Sequence, residues 1–473
     1  MAMRPPSIFA EVWRWKTFPL AAIVFAGFGA SLALNLPGHF EPDSLWQLAQ
    51  GRTGVYNTWH PPVMAWLLGV AARLDPSAPL FIVFDGALFF GGLLAFVALE
   101  ARPRHLCLPL AVLVVASPLV LIYQGVVWKD VLFADVSVAG FAALAWAGRS
   151  WFSVGRRFGC LFIAFGLFSL AGLARQNGFI VPVCGAAALA AISLMRSPPG
   201  ASPKAALGRS AAYGLLFLAL TVLVMSLATY ELDAHSDGQP ENLHQLKRLQ
   251  VFDLAGAAHI DPNIDLSILH DQAPELERFI RDEAAPHYRA AGADNLESLP
   301  GGDLLIPDGD AASRQWAALV AHRPALYLRT RMGVFLSTLL TPEADACPMV
   351  FVGIDPDQPQ LLKDAGLRAR YDGKDRLDDR YASLFLGTPV FSHLFYAMVA
   401  MALLAMALRD HLRADRRPEL IAVAAMLGAA LLFTASFFVI SNACDYRYLY
   451  FLDVAAMAGL IRQAAARPAF PHH

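Results

Sequence analysis

The sequence predicts an all-α polytopic membrane protein of about ten transmembrane helices, with juxtamembrane helices and a mid-chain extracytoplasmic region, and three observations predict it. Of 473 residues, 56% are hydrophobic and 16% charged, with mean hydropathy +0.46; a soluble domain carries roughly 25% charged residues. The apolar excess is gathered into runs of about 17–22 residues, enough to cross a hydrocarbon core. Lys and Arg gather on alternate connections, the bias that orients spans with their basic ends inside. The formal net charge of -2 says little beside that placement.

Candidate spans in chain order are residues 17–36, 80–100, 106–124, 131–148, 158–174, 178–195, 211–230, 387–408, 419–440 and 447–463. Arg4, Arg14 and Lys16 precede the first run, which lacks a small-residue cleavage site and reads as an uncleaved span. With Arg102/Arg104, Arg149/Arg156/Arg157, Arg196/Lys204/Arg209, Arg413/Arg416/Arg417 and Arg462/Arg467 they define one side, the cytoplasmic one. This holds only if residues 60–74 do not cross. That piece is short and opens on two prolines, so it is expected to lie along the interface.

Residues 1–230 therefore form an N-terminal transmembrane module whose first outer loop spans 37–79; 231–386 form a long outer region; 387–473 return to the membrane. Within the outer region, 231–325 reads as a small folded domain or packed loops. Residues 325–341 are apolar but carry Arg329 and Arg331, and read as an interfacial or re-entrant helix. The five cysteines show no paired spacing, which argues against a zinc cluster or a disulfide framework. Cys347 and Cys444 both fall on the outer side, which permits one disulfide without requiring it. No internal repeat, low-complexity tract or nucleotide-binding glycine loop is present, and no nucleic-acid partner is expected.

The outer ends of the spans collect chemistry. The first outer loop supplies Glu41, Asp43, Tyr56, Trp59 and His60; the second Trp128, Lys129 and Asp130; the third Arg175 and Asn177; the last Asp445, Tyr446, Arg447 and Tyr448. Asp43 fits a general base, since a hydroxyl acceptor must lose its proton as it attacks; it equally fits the N-cap of a helix over Ser44–Gln50. Glu41, two residues away, is a second candidate base. His60 fits either a ligand contact or a turn ahead of Pro61-Pro62, which suit a helix's first turn. Asp130 fits a helix cap or a pair with Lys129 or a cation across the site. Arg175 and Arg447 fit phosphate, because a guanidinium binds its oxygens in a bidentate manner; as interface anchors they would merely snorkel. Trp59 and Trp128 fit sugar stacking or an aromatic belt, and Tyr446 and Tyr448 most simply the belt. Asp85, Asp135 and Asp453 inside spans need polar partners.

These residues in this order resemble the GT-C-fold glycosyltransferases, integral-membrane enzymes that take sugars from polyprenyl-phosphate carriers. One span followed by an acidic loop (Glu41-Pro42-Asp43), a juxtamembrane helix opening on His60-Pro61-Pro62, Trp128-Lys129-Asp130 as a second acidic position and Arg175-Gln176-Asn177-Gly178 as a basic lipid-phosphate-facing loop carry the likeness. Arg323-Pro324-Ala325-Leu326-Tyr327-Leu328-Arg329 and Arg447-Tyr448-Leu449-Tyr450 look like late arginine-tyrosine elements. Protein O-mannosyltransferases and lipid A aminoarabinose transferases share the architecture. The likeness covers 15–230 well and 387–463 loosely. Where relatives show adjacent acids, Pro42 separates Glu41 from Asp43, which leaves open which is the base and whether a divalent cation sits near them.

The resemblance implies transfer of a hexosyl or pentosyl group, with inversion, from a polyprenyl-phosphate-linked donor to a glycan, lipid or protein acceptor. It implies a bacterial inner-membrane enzyme whose site faces the periplasm. A transporter or lipid flippase using the intramembrane acids is the alternative. It would want its charges near the bilayer midplane, where a transferase wants them at one face. An O-antigen ligase or polymerase would centre on the late outer loop.

Overall fold

The computed structural model describes residues 18–100, 107–198, 200–236, 241–342, 346–413 and 417–466. Arg4, Arg14, Lys16, Arg102, Arg104, Arg416 and Arg467 of the basic set lie outside the described residues. The longer helices are α1 (Phe18–Asn35), α2 (Pro42–Thr53), α3 (Val63–Ala72), α4 (Pro79–Ala98), α5 (Cys107–Ala116), α6 (Lys129–Arg149), α7 (Val154–Ala174) and α8 (Ile180–Met195). They continue with α9 (Pro203–Asp233), α10 (Glu241–Ile260), α11 (Ala311–His322), α12 (Pro324–Leu340), α13 (Gly373–Ser383), α14 (His393–Arg413), α15 (Pro418–Ile440) and α16 (Tyr450–Ala465). Among the described residues strand pairing is confined to isolated bridges.

Seven of these helices (α1, α4, α6, α7, α9, α14 and α15) are long and apolar enough to cross a membrane, so the protein is polytopic. The span expected over 106–124 is not one helix: α5 and the segment Pro118–Gly125 meet at a 62° bend. Pro118 explains the break. It has no amide donor for the preceding turn, and it drives Ser117 to an extended ψ of 137°. The segments expected at 178–195 and 447–463 form helices of 16 residues, α8 and α16. α3 has ten residues, a rise of about 15 Å and so half a bilayer core.

α6 is the central helix, buried along nearly its whole length between α4, α7, α15 and α16. α9 sits at the rim and exposes Leu215, Leu216, Leu220, Leu223 and Leu227, a face that needs lipid. α6 also defines the two ends of the bundle. At its Arg149 end, Glu100 receives Arg462 Nη2 at 2.9 Å and Arg417 Nη1 at 3.3 Å, while Arg149 donates to the Leu99 carbonyl. Glu100, Arg149, Arg417 and Arg462 thus share one end, and the outer loops meet at the other.

The outer region contains two packing units. Residues from Val251 to Val334 build a separate apolar core, and α12 is one continuous helix within it. Arg331 is fully buried there, paired with Asp253 at 2.9 Å, and its Nε donates to the Phe438 carbonyl near the end of α15 at 2.8 Å. Ile354, Leu362, Ala365 and Ala382 instead join the main core. Their segment braces the first outer loop: Gly353 N donates to His39 Nδ1 at 2.8 Å, Phe40 N to Gly353 O at 2.9 Å, and Arg370 Nη2 to Gly38 O at 2.8 Å. Cys347 and Cys444 form a disulfide with Cα atoms 5.2 Å apart.

Candidate active site

At the other end of the bundle, α2 begins two residues earlier than the helix expected over Ser44–Gln50. Glu41 is its N-cap, Pro42 its first residue, and the Ser44 hydroxyl accepts the Glu41 N–H at 2.9 Å. Asp43 therefore lies in the first turn, where the helix dipole favours a carboxylate, and its side chain is free to face outward from the cap. The last outer loop meets it. Asp445 caps the tight turn Tyr446–Leu449, accepting the Arg447 N–H at 3.1 Å, and so aims Arg447 at α2.

Arg447 holds three carboxylates with three nitrogens. Nη1 is 2.5 Å from Glu41 Oε1, Nη2 2.7 Å from Asp43 Oδ2 and Nε 2.6 Å from Asp445 Oδ2, with Asp130 Oδ2 at 4.0 Å. Its guanidinium carbon lies 5.2 Å from the Trp128 ring centroid. Arg175, just past the end of α7, pairs with Asp130 and is enclosed by the rings of Phe433, Phe437 and Tyr448. Lys129 Nζ donates to His60 Nδ1 at 3.2 Å. That leaves the ring proton on Nε2, which sits 3.5 Å from Asp43 Oδ1. Asn177 Nδ2 donates to Ser436 Oγ at 2.8 Å.

The electrostatics separate the two loop acids. Burial works against ionisation of Asp43, but Arg447, His60 and Lys129 outweigh it and hold the carboxyl well below the usual range. At Glu41 burial wins over Arg447, and the neighbouring Asp43 adds to it, so its affinity for a proton is raised. Burial and then Lys129 pull His60 down to about 4, which keeps the ring neutral near pH 7. Arg175 is lowered to about 10 by burial and stays cationic.

Glu41, Asp43, Trp59, His60, Lys129, Arg175, Asn177, Arg447 and Tyr448 line one cavity of about 650 Å3. Asp130 and Trp128, also expected in the site, do not line it: Asp130 pairs with Arg175, and the Trp128 ring lies against the Arg447 guanidinium. Two further expected residues lie elsewhere. Tyr56 lines a separate cleft between α2 and α3. Arg329 is exposed on α12 and does not line the cavity; two residues turn a helix by about 200°, so the inward face takes Arg331 instead.

No family model matches the sequence, and no curated protein does. Solved structures are similar to it. One is the archaeal oligosaccharyltransferase AglB from Archaeoglobus fulgidus in complex with an inhibitory peptide and a dolichol-phosphate, at 13% identity and TM-score 0.42 over 95% of this chain and 50% of that one. A second is the Archaeoglobus fulgidus oligosaccharyltransferase tethered with an acceptor peptide, at 12% identity and TM-score 0.43 over the same shares. A third is ArnT from Cupriavidus metallidurans in the apo state, at 16% identity and TM-score 0.35 over 93% of this chain and 76% of that one. These are GT-C-fold membrane glycosyltransferases. The chain spans about half the length of the oligosaccharyltransferases. Identities and scores this low assign no chemistry, which must rest on the side chains themselves.

The side chains include several that the sequence did not single out. Gln245 and Arg248 of α10, with Asp294, form the outer wall of the cavity. Arg248 pairs with Asp294 and with Glu297 at 2.9 Å, and lies 6.0 Å from the Trp59 ring centroid. Nothing in the local sequence marks them, because their role comes from where the second apolar core sets α10. The partners also change the standing of the cations. Arg175, Arg248 and Arg447 are each neutralised by carboxylates. Among the described residues, Lys129 is the cavity-lining cation with no carboxylate partner.

Proposed function

We propose that the chain transfers a sugar, with inversion, from a polyprenyl-phosphate carrier to an acceptor outside the cytoplasm. The observation that carries this reading is the cavity: loops distant in sequence bring an accessible carboxylate, Asp43, and a cation with no carboxylate ion pair among the described residues, Lys129, to one end of the bundle. The acceptor oxygen bonds to the anomeric carbon as the bond from that carbon to the phosphate oxygen breaks. The electron pair leaves with the lipid phosphate, and the hydroxyl proton passes to Asp43. Lys129 meets the phosphate, while Arg175 and Arg447 contribute field; stabilising the leaving charge needs cations rather than a strong acid.

Asp43 is the better placed acid, since its side chain is 33% exposed against 13% for Glu41 and its Oδ1 lies 3.5 Å from His60 Nε2. A carboxylate held low is a weak base, which suffices where the hydroxyl becomes acidic as its oxygen bonds to carbon. Glu41, with its raised proton affinity, is the second candidate. Trp59 offers a ring face to the sugar; Asn177 and Tyr448 line the same space. Arg447 already occupies the space between the Glu41 and Asp43 oxygens, and among the described residues no three His, Cys, Asp or Glu side chains are grouped to hold a metal. That donor set does not fit a divalent cation, and no step is assigned to one.

A bacterial inner-membrane location with the cavity facing the periplasm is supported by the Glu100, Arg149, Arg417 and Arg462 cluster at the opposite end. The Cys347–Cys444 disulfide beside the cavity suits an oxidising compartment. The transporter reading loses ground because two of the three intramembrane acids have structural partners, Asp453 with His393 at 2.9 Å and Asp135 with Gln124 at 3.0 Å, although both carboxylate oxygens of Asp85 are buried without a hydrogen-bond partner among the described residues. Transfer of radiolabelled sugar from a polyprenyl carrier is expected to vanish in Asp43→Asn while the folded fraction is kept. Full transfer by that variant would remove the base assignment, and no transfer by the wild type with any lipid-linked donor would remove the reading.

A further inference from the structure

The Tyr56 cleft is not part of the cavity just described, and its lining has its own chemistry. It encloses about 390 Å3 between α2 and α3, with Arg52, Tyr56, Trp66, Val70 and Arg73 around it and no carboxylate among its lining residues. Its floor is fixed by backbone contact. A Cβ on Gly51 would come within 2.2 Å of the Ala65 carbonyl, and one on Gly69 within 2.2 Å of the Gly51 carbonyl, so the two helices touch where any side chain would hold them apart.

Its two cations are unneutralised. Arg73 is exposed and has no ion-pair partner among the described residues, and Arg52 donates only to the Pro76 carbonyl, at 2.9 Å. Arg73 lies close enough to Tyr56 for its charge to act on the phenol, against the burial that raises it. The Tyr56 ring is buried. Beside the cleft, Trp66, Val70 and Leu74 are exposed at 46%, 42% and 77%. Trp66 and Val70 lie one turn apart on α3, and Leu74 follows in the turn just past its end. An anionic pocket-filler alone would explain the arginines, and a bare membrane contact alone would explain these three side chains. A molecule with a phosphate head and an apolar tail explains both.

We propose that the cleft between α2 and α3 binds the headgroup of an anionic phospholipid, with its phosphate between Arg52 and Arg73 and its chain along Trp66, Val70 and Leu74. The hairpin so fastened carries Glu41 and Asp43 at one end of α2 and His60 just ahead of α3, so the bound lipid braces the cavity from outside it. Arg73→Gln is the clean variant, because Arg73 makes no contact whose loss would unfold the chain. The intact protein in detergent is titrated with phosphatidylglycerol, phosphatidylcholine or inorganic phosphate, and followed by native mass spectrometry and thermal unfolding. Phosphatidylglycerol is expected to be retained on the wild type and to raise its unfolding midpoint by several degrees, with at least a tenfold loss of retention in Arg73→Gln. Equal retention of phosphatidylglycerol by both proteins, or of both lipids by the wild type, overturns the site. An equal midpoint shift with inorganic phosphate overturns the lipid as its occupant. Sugar transfer is not the readout, so the result stands apart from the function proposed above.

Discussion

The two ends of the helical bundle each bury arginines against carboxylates, yet they are built for different ends. At the Arg149 end, one acid, Glu100, is shared by Arg417 and Arg462, and all three side chains come from helices or from within two residues of a helix end. At the other end, one cation, Arg447, is shared by Glu41, Asp43 and Asp445, all from loops or helix starts, and the cluster opens on a cavity. Buried ion pairs therefore do not mark a site by themselves. What marks it is the excess of acids over cations, a carboxylate that remains accessible, and contributions from loops that the scaffold can vary.

The sharpest way to break this contrast is a matched pair of substitutions. Removing one partner of a buried ion pair costs about 3–5 kcal/mol, so Arg447→Gln and Arg462→Gln are both expected to lower the unfolding midpoint. Only Arg447→Gln is expected to lower sugar transfer per folded molecule, by about 10²–10³-fold, the scale of losing a preorganised charge at a reacting centre. Comparable turnover by the two folded variants would erase the difference between the ends. The disulfide gives the next effect. It joins positions 97 residues apart, and Cys444 directly precedes the Asp445–Arg447 turn. Cys347→Ser is expected to cost about 2–5 kcal/mol of stability and to reduce transfer along with it. Unchanged unfolding with and without reductant in the wild type would show that the outer end does not depend on this link.

Much of the contrast could be read in the sequence, and what could not has a physical reason. Glu41, Asp43, His60, Lys129, Arg175 and Arg447 were legible because charged residues at the ends of apolar runs need a reason to be there, and basic-residue bias puts them at one face. Helices were legible from the length of their apolar runs, except where Pro118 divides one. Partners were not legible. That Arg175 is consumed by Asp130 and Arg447 by three acids depends on how α6, α7 and the turn before α16 meet, and no spacing encodes it. Arg248 and Gln245 are hidden for the same reason, and a motif match carries no helical phase, so it does not tell exposed Arg329 from buried Arg331. Tyr56 and His60 are close in sequence, yet they line different spaces.

Lys129 sharpens the comparison from the ligand's side. It is the cavity cation that no carboxylate claims, so Lys129→Met is expected to raise KM for the lipid-linked donor about 10–100-fold, the worth of one charge-assisted hydrogen bond. kcat should change less, and Lys129→Arg should recover part of the loss. An unchanged KM in Lys129→Met would return the phosphate to Arg175 or Arg447, despite their paired state.

The smallest effect is a pH dependence confined to the outer end. His60 is held at about 4, below its ordinary 6.5, by burial and Lys129. Above pH 6.5 the ring is neutral in both folded and unfolded chains. As pH falls through 6.5 the unfolded chain takes up a proton that the folded one refuses, so stability is lost progressively down to about pH 4. The full loss is on the order of 1–3 kcal/mol, trimmed by the 15% exposure of the side chain. Glu41 acts with the opposite sign: its raised affinity favours the folded chain at low pH and ceases to as pH rises through its folded value. The wild-type slope between pH 4 and 6.5 is therefore a difference, and His60→Gln should remove only the part that acid takes away. Thermal unfolding of the variant is expected to vary less over that window than that of the wild type, whereas Arg462→Gln should keep the wild-type profile. Superimposable profiles for His60→Gln and wild type would mean that the ring is not held neutral, and that its proton does not face Asp43.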